Sequence, residues 1–238
     1  FRDSLKDNIF NSLYKKYLST IVHPNEDDLD KFDRSNFDSD EDYFAARNSA
    51  RLLTLNNVHV KSLGEKLIGD FFFEHEIAFT YEPTRITEDN KIYRPDFYIN
   101  YLTNKEDKKI YIELWGIYKN GSSDPQSAPF DISKYEQERL KKLDYWEENS
   151  WNSNLLELFM DDIYGNNLNP NKDFSSFKEN FYKVLQSKLE KITDHKFNRL
   201  SEEQVMQKVS KIFESKILGS LNAYIQNVRN NQITPDEL

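Results

Sequence analysis

The run Lys109-Ile110-Tyr111-Ile112-Glu113-Leu114-Trp115 constrains this chain more than any other segment. Its β-branched and aromatic residues predict a strand, in which Ile110, Ile112 and Leu114 face one side and Tyr111, Glu113 and Trp115 the other. A carboxylate set among such neighbours is costly to bury unless it is paired or coordinates a cation. Pro95–Tyr101 predicts a second strand, joined to the first by a polar turn around Asn104 and Asp107. In such an antiparallel pair, Asp96 and Glu113 can point to the same face and hold one divalent ion. Hard oxygen ligands suit Mg²⁺ or Mn²⁺, which usually keep several waters. The same two acids also have plainer readings, Asp96 as turn chemistry after Pro95 and Glu113 as a partner for Lys109 or Arg94.

The flanking sequence supplies helices. Leu5, Ile9, Leu13 and Tyr17 recur at four-residue steps and predict a helix over 3–18, and Ser39-Asp40-Glu41-Asp42 reads as the start of a short helix over 41–49. Leu52 to Lys61 reads as a hairpin turning at Asn56-Asn57, where an asparagine accepts positive φ. Ser62 with Glu65 three residues on makes a capping-box pattern, opening a helix that runs through Phe73. Ala78–Glu82 is a strand, and Asn120–Pro129 a loop. Residues 133–148 form a long helix and Leu155–Phe159 a further strand, with helices over 174–191, 201–214 and 216–229. The order predicts an α/β core over 51–165, a helical extension with an acidic loop over 1–50, and a helical extension over 166–238.

The net charge of −9 is unhelpful for a protein that binds nucleic acid unaided, since phosphate neutralisation drives most of that affinity. Much of the excess is local: Glu26 to Asp42 holds nine carboxylates against Lys31 and Arg34, which reads as a solvated loop. The absence of cysteine excludes disulfides and thiolate zinc sites and fits a cytoplasmic setting. No stretch approaches the roughly 18 apolar residues of a membrane span. His23, His59, His75 and His195 are scattered without ligand spacing and read as structural or surface groups. The opening Phe1 suggests a fragment of a longer protein.

Arg94-Pro95-Asp96-Phe97-Tyr98, followed by Ile110-Tyr111-Ile112-Glu113-Leu114-Trp115-Gly116, resembles the PD-(D/E)XK signature of restriction-endonuclease-like nucleases. Val60-Lys61-Ser62-Leu63-Gly64-Glu65 and Tyr81-Glu82 resemble the helical glutamate and the Tyr-Glu pair of one branch, the nuclease-like domain inserted in helicase-IV-like superfamily 1 DNA helicases. The likeness extends through Tyr135 to Lys142 and Leu155-Leu156-Glu157-Leu158, covering about residues 52–160. It implies a restriction-endonuclease-like mixed sheet flanked by helices and a Mg²⁺- or Mn²⁺-dependent deoxyribonuclease. It further implies DNA as partner and a helicase motor in the same longer chain. No phosphate-binding Gly-x-x-x-x-Gly-Lys-Ser/Thr loop occurs within these residues.

One position departs from the signature. The residue two after Glu113 should be lysine, the group that steadies the attacking water and offsets negative charge, but it is Trp115. Tyr135, Arg139, Lys142 and Trp146 share one face of the 133–148 helix, and from there Lys142 can serve as a relocated lysine. The resemblance thus assigns Glu65, Asp96, Glu113 and Lys142 as catalytic, the three acids as metal ligands, and Tyr81, Glu82 and Tyr135 as support. Plainer readings make Glu65 a capping partner, Tyr81 a core residue, Glu82 a partner for Arg94 and Lys142 a solvated cation. Lys134, Arg139 and Lys141, with the hairpin-tip Lys105, Lys108 and Lys109, are candidates for phosphate contact. Trp115 or Tyr118 would stack on a base. The alternative function is a nuclease-fold module that holds DNA or docks on a helicase without cutting. A third is a stand-alone antiphage effector using the same nuclease fold.

Overall fold

The computed structural model describes residues 38–39, 42, 52–86, 92–102, 107–119, 132–148, 154–165 and 174–230. The predicted helix over 3–18, the acidic stretch, nearly all of the helix expected over 41–49, and the 120–129 loop lie outside them. At Ser39 the expected helix start is present locally, with Ser39 Oγ accepting the Asp42 N–H at 3.1 Å.

The chain is mixed α/β, and its centre is a four-stranded sheet in the order β3-β6-β7-β8. Strands β3 (Phe79–Tyr81), β6 (Phe97–Leu102) and β7 (Asp107–Leu114) run antiparallel to one another. Strand β8 (Leu155–Leu158) lies parallel to β7. Parallel neighbours need a long crossover, and the 17-residue helix α2 (Ile132–Glu148) lies within it. Strand β7 begins two residues earlier than the alternation suggests and ends at Leu114, so Trp115 lies beyond the strand.

The two faces of β7 divide as expected. Ile110 and Ile112 join the main core with Phe97 and Ile99, under helix α1 (Leu63–Glu74) and helix α4 (Phe174–Thr193). Helix α1 contributes Leu67, Ile68, Phe71 and Phe72, and α4 contributes Phe181, Tyr182, Leu185 and Leu189. The C-terminal helical region therefore shares this core. On the other face, Tyr111 packs with Tyr93 and with Trp146 of α2, which is fully buried.

Two small hairpins flank the sheet. Strands β1 (Leu52–Leu53) and β2 (His59–Val60) pair around Asn57, whose φ of 65° is the left-handed conformation anticipated there. The buried ion pair of Lys66 and Asp70 (2.7 Å) fastens this hairpin to α1: Lys66 Nζ donates to Leu53 O and Asp70 Oδ1 accepts from Leu55 N–H. Strands β4 (Arg85–Ile86) and β5 (Ile92–Tyr93) form a hairpin the sequence did not announce, because its strands are only two residues each. The five-residue helix α3 (Met160–Tyr164) was likewise too short to read.

The predicted pair of C-terminal helices is one helix, α5 (Glu202–Asn230). No proline interrupts it, the exposed Ser215 is tolerated, and a side chain at Gly219 would meet nothing within 4 Å. Its first half packs Val205, Val209 and Phe213 against Leu55 of the first hairpin.

Candidate active site

Strand register brings the two principal acids together. Phe97 pairs with Ile112, and one further step along both strands sets Asp96 opposite Glu113. Asp96 sits in the bend before β6, half-buried, and its Oδ2 accepts the Leu114 N–H at 2.7 Å. Glu113 is 1% exposed. Burial is the main force raising both carboxyls to about 7. Glu65 pushes Asp96 further up, while the Leu114 N–H and Lys142 pull it down. For Glu113, Lys142 opposes the burial and Glu157 adds to it.

Glu157 is the exact neighbour of Glu113 in the parallel register of β7 and β8. Like charges side by side on a sheet destabilise it, and α2 answers both. Lys142 Nζ approaches Glu113 Oε2 at 3.4 Å, and Arg139 donates to Glu157 Oε2 at 3.0 Å. The face of α2 read from its spacing is the one that docks. Tyr135 Oη accepts the Gly116 N–H at 2.8 Å, and Trp146 Nε1 donates to Tyr93 Oη at 2.6 Å.

Trp115 fills the position where the signature has lysine, and it is buried, with its indole N–H donating to Glu157 Oε2 at 2.8 Å. Arg139 and Lys142 both lie over its ring, at 5.7 and 5.3 Å from the centroid. The expectation that Trp115 or Tyr118 stacks on a base needs correction, because both rings are covered, at 3% and 6% exposure. Arg139 is committed to Glu136 and Glu157, so a phosphate would compete with two carboxylates for it. Lys134 and Lys141 are exposed on α2. Lys108 donates to Ile192 O of α4, Lys109 is exposed, and Lys105 lies outside the described residues.

Glu65 stands in the first turn of α1, where its N–H is capped by Ser62 Oγ at 3.1 Å. Its carboxylate does not close a capping box on Ser62. Instead Oε2 accepts the Lys61 N–H at 2.8 Å and the Tyr81 hydroxyl at 2.6 Å. Burial and the Glu65 carboxylate raise the Tyr81 phenol well above its usual range, so it stays a donor. Tyr81 also packs its ring on Phe97, as the core reading expects. Glu82, at φ 45°, donates its N–H to Asp96 O at 2.9 Å and pairs with Lys61 rather than with Arg94.

Among the described residues no three His, Cys, Asp or Glu side chains converge as a metal cage. Mg²⁺, however, is usually held by one or two carboxylates with waters and substrate phosphates. Asp96 and Glu113 fit that habit: both are acids whose burial is only partly offset, and a cation would favour their ionised forms. Glu65, with Oε2 engaged twice, acts on Asp96 through its charge.

Sequence reasoning did not single out Tyr93 or Glu157. Glu157 carried the same signal as Glu113, an acid inside an apolar strand, whereas Tyr93 had no signal beyond preceding Arg94-Pro95-Asp96. The expected structural role of the histidines holds for His75, which is buried against Phe71 at 3.9 Å between ring centroids. Among the described residues no helix is long and apolar enough to cross a membrane. Compared with protein-family models, curated proteins and solved structures, the chain matches none.

Proposed function

We propose that this chain carries a metal-dependent DNA nuclease core of the PD-(D/E)XK, restriction-endonuclease-like type, hydrolysing phosphodiester bonds. The observation that carries this reading is the placement of Asp96 and Glu113 at one end of adjoining antiparallel strands, with Lys142 brought to Glu113 by the helix between the parallel strands. The strand order, two antiparallel steps followed by a parallel one, supports the fold half of the reading.

Asp96 and Glu113 would hold Mg²⁺ or Mn²⁺, with the charge of Glu65 alongside. Such an ion lowers the pKa of bound water and offsets charge developing on the phosphate. Lys142 supplies a fixed positive charge beside Glu113, half-exposed and so able to reach a phosphate oxygen as well. Leu114 N–H and Tyr81 hold Asp96 and Glu65 in place. The resemblance further proposes DNA as substrate and a superfamily 1 helicase motor in the same longer chain, and the lack of cysteine fits a cytoplasmic setting.

A second reading, a nuclease fold that holds DNA for a helicase without cutting it, draws on Trp115 in the lysine position and on the lack of a three-acid cage among the described residues. Calorimetric titration of Mn²⁺ into wild type and Glu113→Gln, with plasmid and single-strand cleavage assays, separates the two. Binding and cleavage that both vanish in the variant support the nuclease. Wild-type DNA binding with neither metal binding nor cleavage supports the holding module.

A further inference from the structure

We infer that Tyr93, anchored by Trp146, is the positioning residue that fixes the Glu113 carboxylate and leaves only Glu113 Oε2 to meet a cation. The inference rests on the nuclease reading and names the buried support of its least exposed ligand. The Tyr93 hydroxyl bonds Glu113 Oε1, and the Trp146 indole N–H reaches the same hydroxyl oxygen. An indole nitrogen only donates. The phenol oxygen therefore accepts from Trp146, and with Glu113 ionised, the form that would meet a cation, it gives its single proton to the carboxylate.

All three side chains are enclosed: Tyr93 is 7% exposed, Glu113 1% and Trp146 0%. Tyr93 and Trp146 meet edge to face at 5.0 Å, and Tyr111 packs against Trp146 at 4.8 Å. A rotation of Glu113 would break this bond at a buried position, where an unmade hydrogen bond is costly. With Oε1 held inward, Oε2 is the oxygen that Lys142 approaches. Tyr93 reaches this place from the β4–β5 hairpin, through its pairing with Arg85. The hairpin, a short appendage to the sheet, thereby gains a role at the site.

The test is Mn²⁺ calorimetry on the full 238-residue chain, comparing wild type, Tyr93→Phe, Trp146→Phe and Glu113→Gln, with urea unfolding of each. Tyr93→Phe keeps the ring and removes only the hydroxyl. The expected result is about tenfold weaker Mn²⁺ binding, the scale of losing a partner that orients a ligand. Trp146→Phe should give a smaller loss in the same direction. In cleavage assays the Mn²⁺ concentration for half-maximal rate should rise in Tyr93→Phe while KM for DNA stays unchanged. A folded Tyr93→Phe that binds Mn²⁺ as wild type does overturns the assignment and leaves the nuclease reading intact, even if its stability falls. Wild type that binds no Mn²⁺ overturns the nuclease reading, and this assignment with it. A second measurement needs no variant to fold: the apo wild type should show a downfield Tyr93 hydroxyl proton by NMR, and its absence overturns the relay.

Discussion

Lys142 illustrates how one side chain can satisfy a structural and a chemical demand together. Its ammonium lies between the Tyr93 and Trp115 rings, 5.6 and 5.3 Å from their centroids, and 3.4 Å from a buried carboxylate. Neutralising Glu113 alone would explain that position. A catalytic role adds that its loss must slow cleavage beyond any effect on folding. Lys142→Ala is expected to lower kcat by about 10²-fold, on the scale of removing one preorganised electrostatic group. Its effect on stability should stay modest, because the Lys142 side chain is 41% exposed and the buried Glu113 carboxyl, already raised to about 7, takes up a proton when its counter-charge is removed. Single-turnover cleavage beside urea unfolding checks both halves. A Lys142→Ala protein that cuts at the wild-type rate would reduce Lys142 to a counter-charge.

Helix α1 is held at both ends by features that differ in kind. At its start, a methyl group on Gly64 would lie 2.4 Å from Leu114 Cδ2 and 2.9 Å from Ile163 Cδ1, so glycine lets the helix approach the end of β7. Gly64→Ala is therefore expected to cost about 1–3 kcal/mol by overpacking, measured as a lower urea midpoint. At its end, Glu74 is buried and bonds Lys178 and Tyr182 of α4 and Arg199 beyond it. Burial alone would raise the Glu74 carboxyl, but Lys178 and Arg199 outweigh it and hold it below its ordinary 4.5. A depressed carboxyl stabilises the fold above the unfolded value and loses that contribution as pH falls through the lower folded one. The contribution of Glu74, read as the difference between wild-type and Glu74→Gln urea midpoints across a pH series, should thus hold steady near neutrality and shrink below pH 4.5. By contrast, the raised Asp96 and Glu113 carboxyls make the wild type itself lose stability as pH rises through about 7. Glu74→Gln should be less stable at neutral pH and show a flatter acid decline. These long-range partners, 104 and 125 residues away in sequence, left no trace in any local pattern.

Considered whole, the molecule was legible wherever periodicity is long enough to count. The central strands, α1, α2, α4 and the docking face of α2 followed from spacing, because burial on one face repeats every 2 or 3.6 residues. The pairing of Asp96 with Glu113 was legible for the same reason. Two-residue strands such as β4 and β5 offer no period, so the hairpin that carries Tyr93 stayed hidden. The turn of Glu65 away from Ser62 depended on Tyr81, a contact made only by folding. Net charge is also a whole-molecule property. At −9, with Arg139 already engaged, the chain should make few phosphate contacts by itself. The logarithm of DNA affinity against that of salt should have a slope shallower than about −3, given about −0.9 per phosphate contacted. Fluorescence anisotropy across a salt series measures it, and a slope steeper than about −5 would overturn that expectation.

A strand-borne lysine owes its place to alternation of the backbone and travels with the carboxylate it serves. Here the ammonium and the carboxylate sit on separate elements, and their distance is a property of how a helix is seated. Tyr135, Arg139, Lys142 and Trp146 engage four different partners from one line along that helix. Deleting a single residue between Arg139 and Lys142 would turn the two halves of the line by about 100° relative to each other, so that the four partners could no longer be engaged together. Point substitutions can erode this arrangement gradually, but a change of helical phase abolishes it in one step.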